Sequence, residues 1–173
     1  MLRKLIVHSL NSSIQRRRDL VRLRWQRVLP VGEYLSDRHE KAGFLGFGQG
    51  TTIYDSSLVF GDVQVGRNTW IGPFTILDGS GGLTIGDNCS ISAGVQIYTH
   101  DTVQRTVTGG VVPTVHSPTK IEANVYIGPN TIIQMGVTIG SKTIIGANSL
   151  VNTDIPSNTK AWGSPCRIFS QEE

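Results

Sequence analysis

Aliphatic residues return every sixth position along most of the stretch from Ile53 to Val151. A first run holds Ile53, Val59, Val65, Ile71 and Leu77, a second Ile85, Ile91 and Ile97. A third holds Ile121, Ile127, Ile133, Ile139, Ile145 and Val151. Four residues past most of them stands something small or β-branched, such as Thr69, Thr75, Cys89, Val125, Thr131 and Ser149. A period of two, as in a sandwich, would not keep aliphatics six apart over this length. A fixed six-residue period marks a parallel β-helix. The first residue of each hexad is expected to point inward and stack on its equivalents above and below. The fifth faces in near a corner, and the others face outward. About fourteen hexads, at three short strands per coil, predict an all-β parallel helix of about five coils stacked about 4.8 Å apart.

Two interruptions refine this picture. Gly79-Ser80-Gly81-Gly82 shifts the phase by two residues. The segment 103–120, with Arg105, Gly109-Gly110, Pro113, His116 and Pro118, reads as a loop. Val103 and Ile121 are nevertheless eighteen residues apart, three hexads, so the coil stays in phase on either side. Insertions of this kind usually lie on a solenoid's binding face. The expected organisation is a basic helical segment over 1–30, a glycine-rich irregular lead-in over 31–52, the β-helix over 53–155, and a short turn-rich tail over 156–173 that ends it.

Residues 1–29 carry a helical apolar period, with Pro30 as the expected stop. Eight of the sixteen Lys and Arg residues lie within 1–30 against Asp19 alone, leaving the remainder net negative. Two readings stay open for this arm. It caps the first coil, as any solenoid end requires, or it rests on anionic lipid with Trp25 near the interface. The basic residues lack aromatic interleaving and any nucleic-acid motif, so no nucleic-acid partner is expected. Gly46-Phe-Gly-Gln-Gly has the wrong glycine spacing for a dinucleotide loop.

Hydrophobic residues make up 38% of the chain and glycines number twenty, which suits a thin aliphatic stripe with permissive corners. Two cysteines without paired spacing suggest neither a disulfide scaffold nor a zinc finger, and fit a reducing compartment. No apolar run approaches membrane-spanning length, and the N-terminus does not resemble a signal peptide. The expected location is cytoplasmic, with possible peripheral contact at the inner membrane face.

The hexads, the run Ile97-Tyr-Thr-His100-Asp101 and the ending Asp154-Ile-Pro…Gly163-Ser-Pro-Cys-Arg-Ile together resemble the left-handed β-helix, hexapeptide-repeat acyltransferases. The similarity covers about residues 53–169, and the sugar O-acetyltransferase branch, with galactoside and maltose acetyltransferases and surface-polysaccharide enzymes, is the nearest match. The resemblance implies the left-handed sense and a homotrimer with active sites between subunits. It also implies acetyl-CoA as donor, a sugar acceptor, and one histidine as general base. Transfer from a thioester to a hydroxyl requires removal of the alcohol's proton, for which histidine suits neutral pH. Of His8, His39, His100 and His116, only His100 sits outward on the coil just before the excursion, and it is the expected base.

Further roles follow from the same resemblance. Ala147 would lie along the pantetheine arm and Arg167 would meet nucleotide phosphates. Asn152-Thr153 stands where relatives commonly carry Thr-Lys, so Lys160 is the candidate replacement cation, and Tyr126 stands where relatives often have Trp. Asp78 resembles an acceptor-side carboxylate and could equally be a turn residue. Asp101 occupies a fifth hexad position, where it pins a corner through backbone N–H groups or orients His100. His116 contacts the acceptor or decorates the loop. Cys89, at a fifth position, is expected to be a small inert core residue, and Cys166 structural, so direct attack without an acyl-cysteine is expected. No metal is expected, because a carbonic anhydrase on this coil would need three histidines from neighbouring faces. Amino-sugar N-acetylation and a non-catalytic trimeric scaffold are the alternatives.

Overall fold

The computed structural model describes residues 2–171. Three helices precede the coil: α1 (Leu2–Trp25), α2 (Gly32–Leu35) and α3 (Arg38–Phe44). The strands of the first coils are β1 (Thr52–Ile53), β2 (Leu58–Val65), β3 (Trp70–Ile71), β4 (Ile76–Ile85), β5 (Ser90–Ile91) and β6 (Gln96–Ile97). The excursion holds β7 (His100–Asp101), α4 (Val103–Val107) and β8 (Val115–His116). The coil resumes with β9 (Thr119–Ile121), β10 (Tyr126–Ile127), β11 (Ile132–Ile133), β12 (Thr138–Ile139), β13 (Ile144–Ile145) and β14 (Leu150–Val151). A hairpin of β15 (Thr159–Trp162) and β16 (Arg167–Gln171) follows.

The hexad repeat becomes three parallel faces. On the first, β1, β3, β5, β10, β13 and β15 stack in that order, and Ile53, Ile71, Ile91, Ile127, Ile145 and Ala161 form its buried row. The second face stacks Val59, Leu77, Ile97, Ile133 and Val151. The third stacks Val65, Ile85, Ile121 and Ile139, with Ile155 bridging to Ile139. Full burial of each Ile or Leu contributes about 1.5–3 kcal/mol, so the core is a sum of equal layers. The first face has six rungs, because β15 adds a layer where the sequence suggested only a terminating tail. The coil is therefore one rung longer than the five inferred from the hexads.

The corners have their own chemistry. Asn68, Asn88, Asn124 and Lys142 each stand two residues before a first-face strand, and Asn158 one before β15, all with φ between 54° and 62°. Each donates its backbone N–H to a carbonyl on the rung below. Asparagine tolerates this left-handed backbone far better than most residues, which explains its recurrence there.

Residues 31–52 are not irregular, since α2 and α3 occupy much of the segment. Asp37 accepts from the backbone N–H groups of His39 and Glu40 and so caps α3. α3, not α1, closes the open end of the first coil: Ala42 and Phe47 join the buried core. Lys41 Nζ donates to the carbonyls of Tyr54, Asp55 and Ser57 at 2.9–3.0 Å. Burial lowers its pKa, while Asp55 and Glu33 oppose that shift. α1 ends at Trp25, before Pro30, and packs through α2: Arg17 donates to the Tyr34 carbonyl, and Arg18 lies over the Tyr34 ring. Among the described residues, no helix is long and apolar enough to cross a membrane.

Candidate functional site

The excursion leaves the second face after Ile97 and returns to the third at Thr119, and its ends are tied together. Thr119 Oγ1 donates to the Tyr98 carbonyl at 3.0 Å, and Ser117 N–H to the Thr99 carbonyl at 2.9 Å. Ile121 pairs with Ile85, so the phase is kept as the spacing predicts. Val103, however, is not a core position; it is exposed at the start of α4. The departing and returning strands, β7 and β8, pair antiparallel with His100 opposite His116, their ring centroids 6.0 Å apart.

At the root of this arm, Asp78 meets His100. His100 Nδ1 lies 2.6 Å from Asp78 Oδ2, and the Asp78 side chain is 3% exposed against 34% for the histidine. Ser80 donates to Asp78 Oδ1 through its backbone N–H and its hydroxyl. Thr99 N–H donates to Oδ2 at 2.9 Å, with the Thr99 hydroxyl 3.2 Å away. Burial works to raise the Asp78 pKa, but the donors from Ser80, Thr99 and His100 overcome it and hold the carboxyl well below the usual range. An ionised carboxylate only accepts, so the shared proton sits on His100 Nδ1. With Nδ1 committed to Asp78, Nε2 is the ring nitrogen left for another partner.

The two-residue slip in the hexads now has a physical reason. Gly79 to Gly82 supply the extra length that wraps Ser80 around the Asp78 carboxylate, and Gly81 N–H donates to Thr99 Oγ1 at 2.8 Å. A Cβ on Gly81 would come within 2.4 Å of the Thr99 carbonyl oxygen, so the close approach needs glycine. Of the two sequence readings of Asp78, the turn is present, since Oδ1 accepts from Ser80 N–H two residues on, and Oδ2 is turned to Thr99 and His100. Asp101 Oδ1 accepts from the Val103 backbone N–H, the corner-pinning arrangement. It does not face the core as its fifth hexad position suggested, since the chain has already left the coil.

A groove of about 410 Å³ opens beside the dyad, lined by Tyr98, His100, Val103, Ile132, Gln134 and Met135. Tyr98, Gln134 and Met135 were not singled out from the sequence. Their signal was rung arithmetic, which places Gln134 directly above Tyr98, with Tyr98 N–H bonded to the Ile133 carbonyl. Asn152 and Thr153 lie one rung further along this same corner, both exposed. The remaining donor-side candidates lie elsewhere. Tyr126 and Lys160 are on the first face, and Ala147 is at the corner between the first and second faces. Arg167 is on β16. One chain does not gather them around His100. His116 is exposed on β8.

Both thiols are buried, and burial raises both pKa values. Cys89 Sγ points to the Glu122 carbonyl at 3.1 Å, deep in the coil rather than in the groove. Among the described residues, no group of three or more His, Cys, Asp or Glu side chains is placed to hold a metal ion.

Residues 118–153 match the family described as bacterial transferase hexapeptide (six repeats), and residues 62–99 match the hexapeptide repeat of succinyl-transferase. The galactoside O-acetyltransferase of Escherichia coli strain K12 is 34% identical over 129 residues, 62% of this chain and 63% of that protein. The Lactococcus lactis galactoside O-acetyltransferase is 50% identical over 48 residues, 28% of this chain and 23% of that one. The chain thus spans less than two thirds of these curated relatives. The crystal structure of a maltose O-acetyltransferase from Clostridium difficile 630 is 32% identical, with a TM-score of 0.60, covering 95% of this chain and 88% of that one. The Bacillus cereus N-acyltransferase AntD, solved with dTDP and 3-hydroxybutyryl-CoA, shares the fold at 24% identity and a TM-score of 0.66, covering 73% of this chain and 72% of that one. Repeat, coil and relatives agree, and the chain is a member of the left-handed β-helix, hexapeptide-repeat acyltransferase family.

Proposed function

We propose that the protein transfers an acetyl group from acetyl-CoA to a sugar hydroxyl, with His100 as general base. The observation that carries this reading is the Asp78–His100 pair, which leaves a basic Nε2 beside an open groove. In the proposed reaction, Nε2 takes the proton of the acceptor hydroxyl as its oxygen attacks the thioester carbonyl carbon. The tetrahedral adduct collapses with cleavage of the carbon–sulfur bond, and the imidazolium returns the proton to the departing CoA thiolate. Asp78 holds the tautomer and offsets the positive charge that develops on the ring. Burial of both thiols supports direct transfer over an acyl-cysteine.

The separation of the candidate donor residues from His100 supports a homotrimer in which a neighbouring subunit completes each site. Ala147, Tyr126, Lys160 and Arg167 of one copy would then face the groove of the next, with Asn152 and Thr153 near its rim. His116 and Asp101 border the acceptor side through the arm. The relatives named as galactoside and maltose acetyltransferases favour a sugar acceptor. Steady-state assays with purified protein, acetyl-CoA, and paired hydroxyl and amino sugars test the reading. Turnover of hydroxyl acceptors is expected. Preference for the amino sugar would assign N-acetylation, and no turnover of any acceptor together with no CoA binding would point to a scaffold.

A further inference from the structure

A second groove lies at the N-terminal end of the molecule, between the last turns of α1, α2 and the start of α3. Gln26 ends α1 in a left-handed backbone, φ 52°, and turns the chain toward α2. The buried Tyr34 holds the two sides together. Its carbonyl accepts from Arg17 Nη1 at 2.8 Å, and its hydroxyl accepts from the Leu29 N–H at 2.6 Å. The space between them is about 600 Å³, the size of a small-molecule site. Leu20, Leu23 and Trp25 line it and are all exposed, an apolar surface of the kind that normally meets a partner. Arg17, Arg24, Arg27 and Arg38 stand there against only two carboxylates, Glu33 and Asp37. Both carboxylates are already engaged, Glu33 by Ser56 and Asp37 as the cap of α3. Among the described residues, none of the four arginines forms an ion pair. Arg24 lies over the Trp25 ring at 4.9 Å and Arg38 over the Tyr54 ring at 4.3 Å. Such contacts use the face of a guanidinium and leave its N–H edge for an anion.

The occupant must therefore bring an anion and apolar carbon together. A nucleic acid supplies the charge but leaves the leucines in water, whereas a lipid phosphate with its acyl chains supplies both. α1 is not long and apolar enough to cross a bilayer, so the contact is with its surface. We propose that this groove seats the phosphate and the first acyl-chain carbons of an anionic phospholipid, holding the N-terminal end of the coil at a membrane. None of its residues lines the His100 groove, so the site stands independently of the acetyl-transfer reading.

Calorimetric titration of the full chain with dihexanoyl phosphatidic acid, kept below its micelle concentration, tests the site. Wild type should bind it about ten-fold more tightly than inorganic phosphate, which lacks apolar carbon, or dihexanoyl phosphatidylcholine, which lacks net charge. Arg24→Gln and Leu20→Asn, both at exposed positions of α1, should each weaken binding about ten-fold. Arg22→Gln removes the same charge from α1 outside the groove and should change the affinity by less than about two-fold. Equal losses in Arg22→Gln and Arg24→Gln would reduce the site to diffuse attraction and overturn the proposal. So would phosphate or phosphatidylcholine binding as tightly as the phosphatidic acid, or a single-stranded RNA binding more tightly. A fall in oligomer mass in Leu20→Asn would make a second copy of the chain the occupant and overturn it as well.

Discussion

Asp78 sits at a position where the hexad pattern only interrupts itself, and its role comes from contacts twenty-one and twenty-two residues away, with Thr99 and His100. Asp78→Asn would present an amide donor to Nδ1, favouring the tautomer with the proton on Nε2 and no lone pair for the acceptor. A fall in kcat of about 10²-fold or more is expected, with KM for the donor little changed. Acid stability reports the same contact. The folded pKa of Asp78 lies below its unfolded value, so the stabilisation is fully present above about pH 4 and lost as pH falls through the folded pKa. Acid unfolding followed by circular dichroism should therefore show a shallower loss in Asp78→Asn than in wild type. Identical acid profiles would mean that the contact does not hold the carboxylate ionised.

At the level of strands and corners, most of the fold was legible, because the aliphatic residues that stack on the three faces between Ile53 and Val151 fall on first hexad positions. The sixth rung escaped notice because its inward residue is Ala161, too small to signal a repeat, and because Pro156 and Asn158 read as tail. The two helices of the lead-in were masked by glycines at 43, 46 and 48. Asp101 stood out as an exception to its fifth position, and its contact with the Val103 N–H lies on the arm, where the phase no longer applies. The corner asparagines make a further expectation concrete. Lys142 adopts φ 57° in a ladder otherwise built of asparagine and glycine. Lys142→Asn should relieve about 1 kcal/mol of left-handed strain and raise the melting temperature by about 2–4 °C. A lower melting temperature would show that the lysine side chain contributes more than its backbone costs.

For the whole molecule, the separation of α3 from α1 resolves what the basic arm does not do. Closure of the coil belongs to α3, so α1 stands on α2 with Ile6, Val7, Leu10, Leu20, Leu23 and Trp25 exposed among its arginines. Of the two sequence readings, peripheral contact with anionic lipid is the one we carry forward. Sedimentation with phosphatidylserine-containing vesicles should show binding at low salt that is lost at high salt, at about 1 kcal/mol per basic residue near the surface. No association at low salt would remove the membrane role. The candidate site was partly legible for a related reason. His100 stands out by local spacing, whereas the candidate donor-side residues lie on different faces, and in the proposed homotrimer no single-chain pattern shows what a neighbouring copy would bring opposite them.

The central claim is that Nε2 of His100 removes the acceptor's proton. Acetyl transfer from acetyl-CoA to a sugar hydroxyl, measured for wild type and His100→Ala alongside calorimetric CoA binding, tests it directly. The account predicts a kcat lower by about 10²- to 10⁴-fold with CoA affinity unchanged. A variant that binds CoA and turns over within a few-fold of wild type would contradict it.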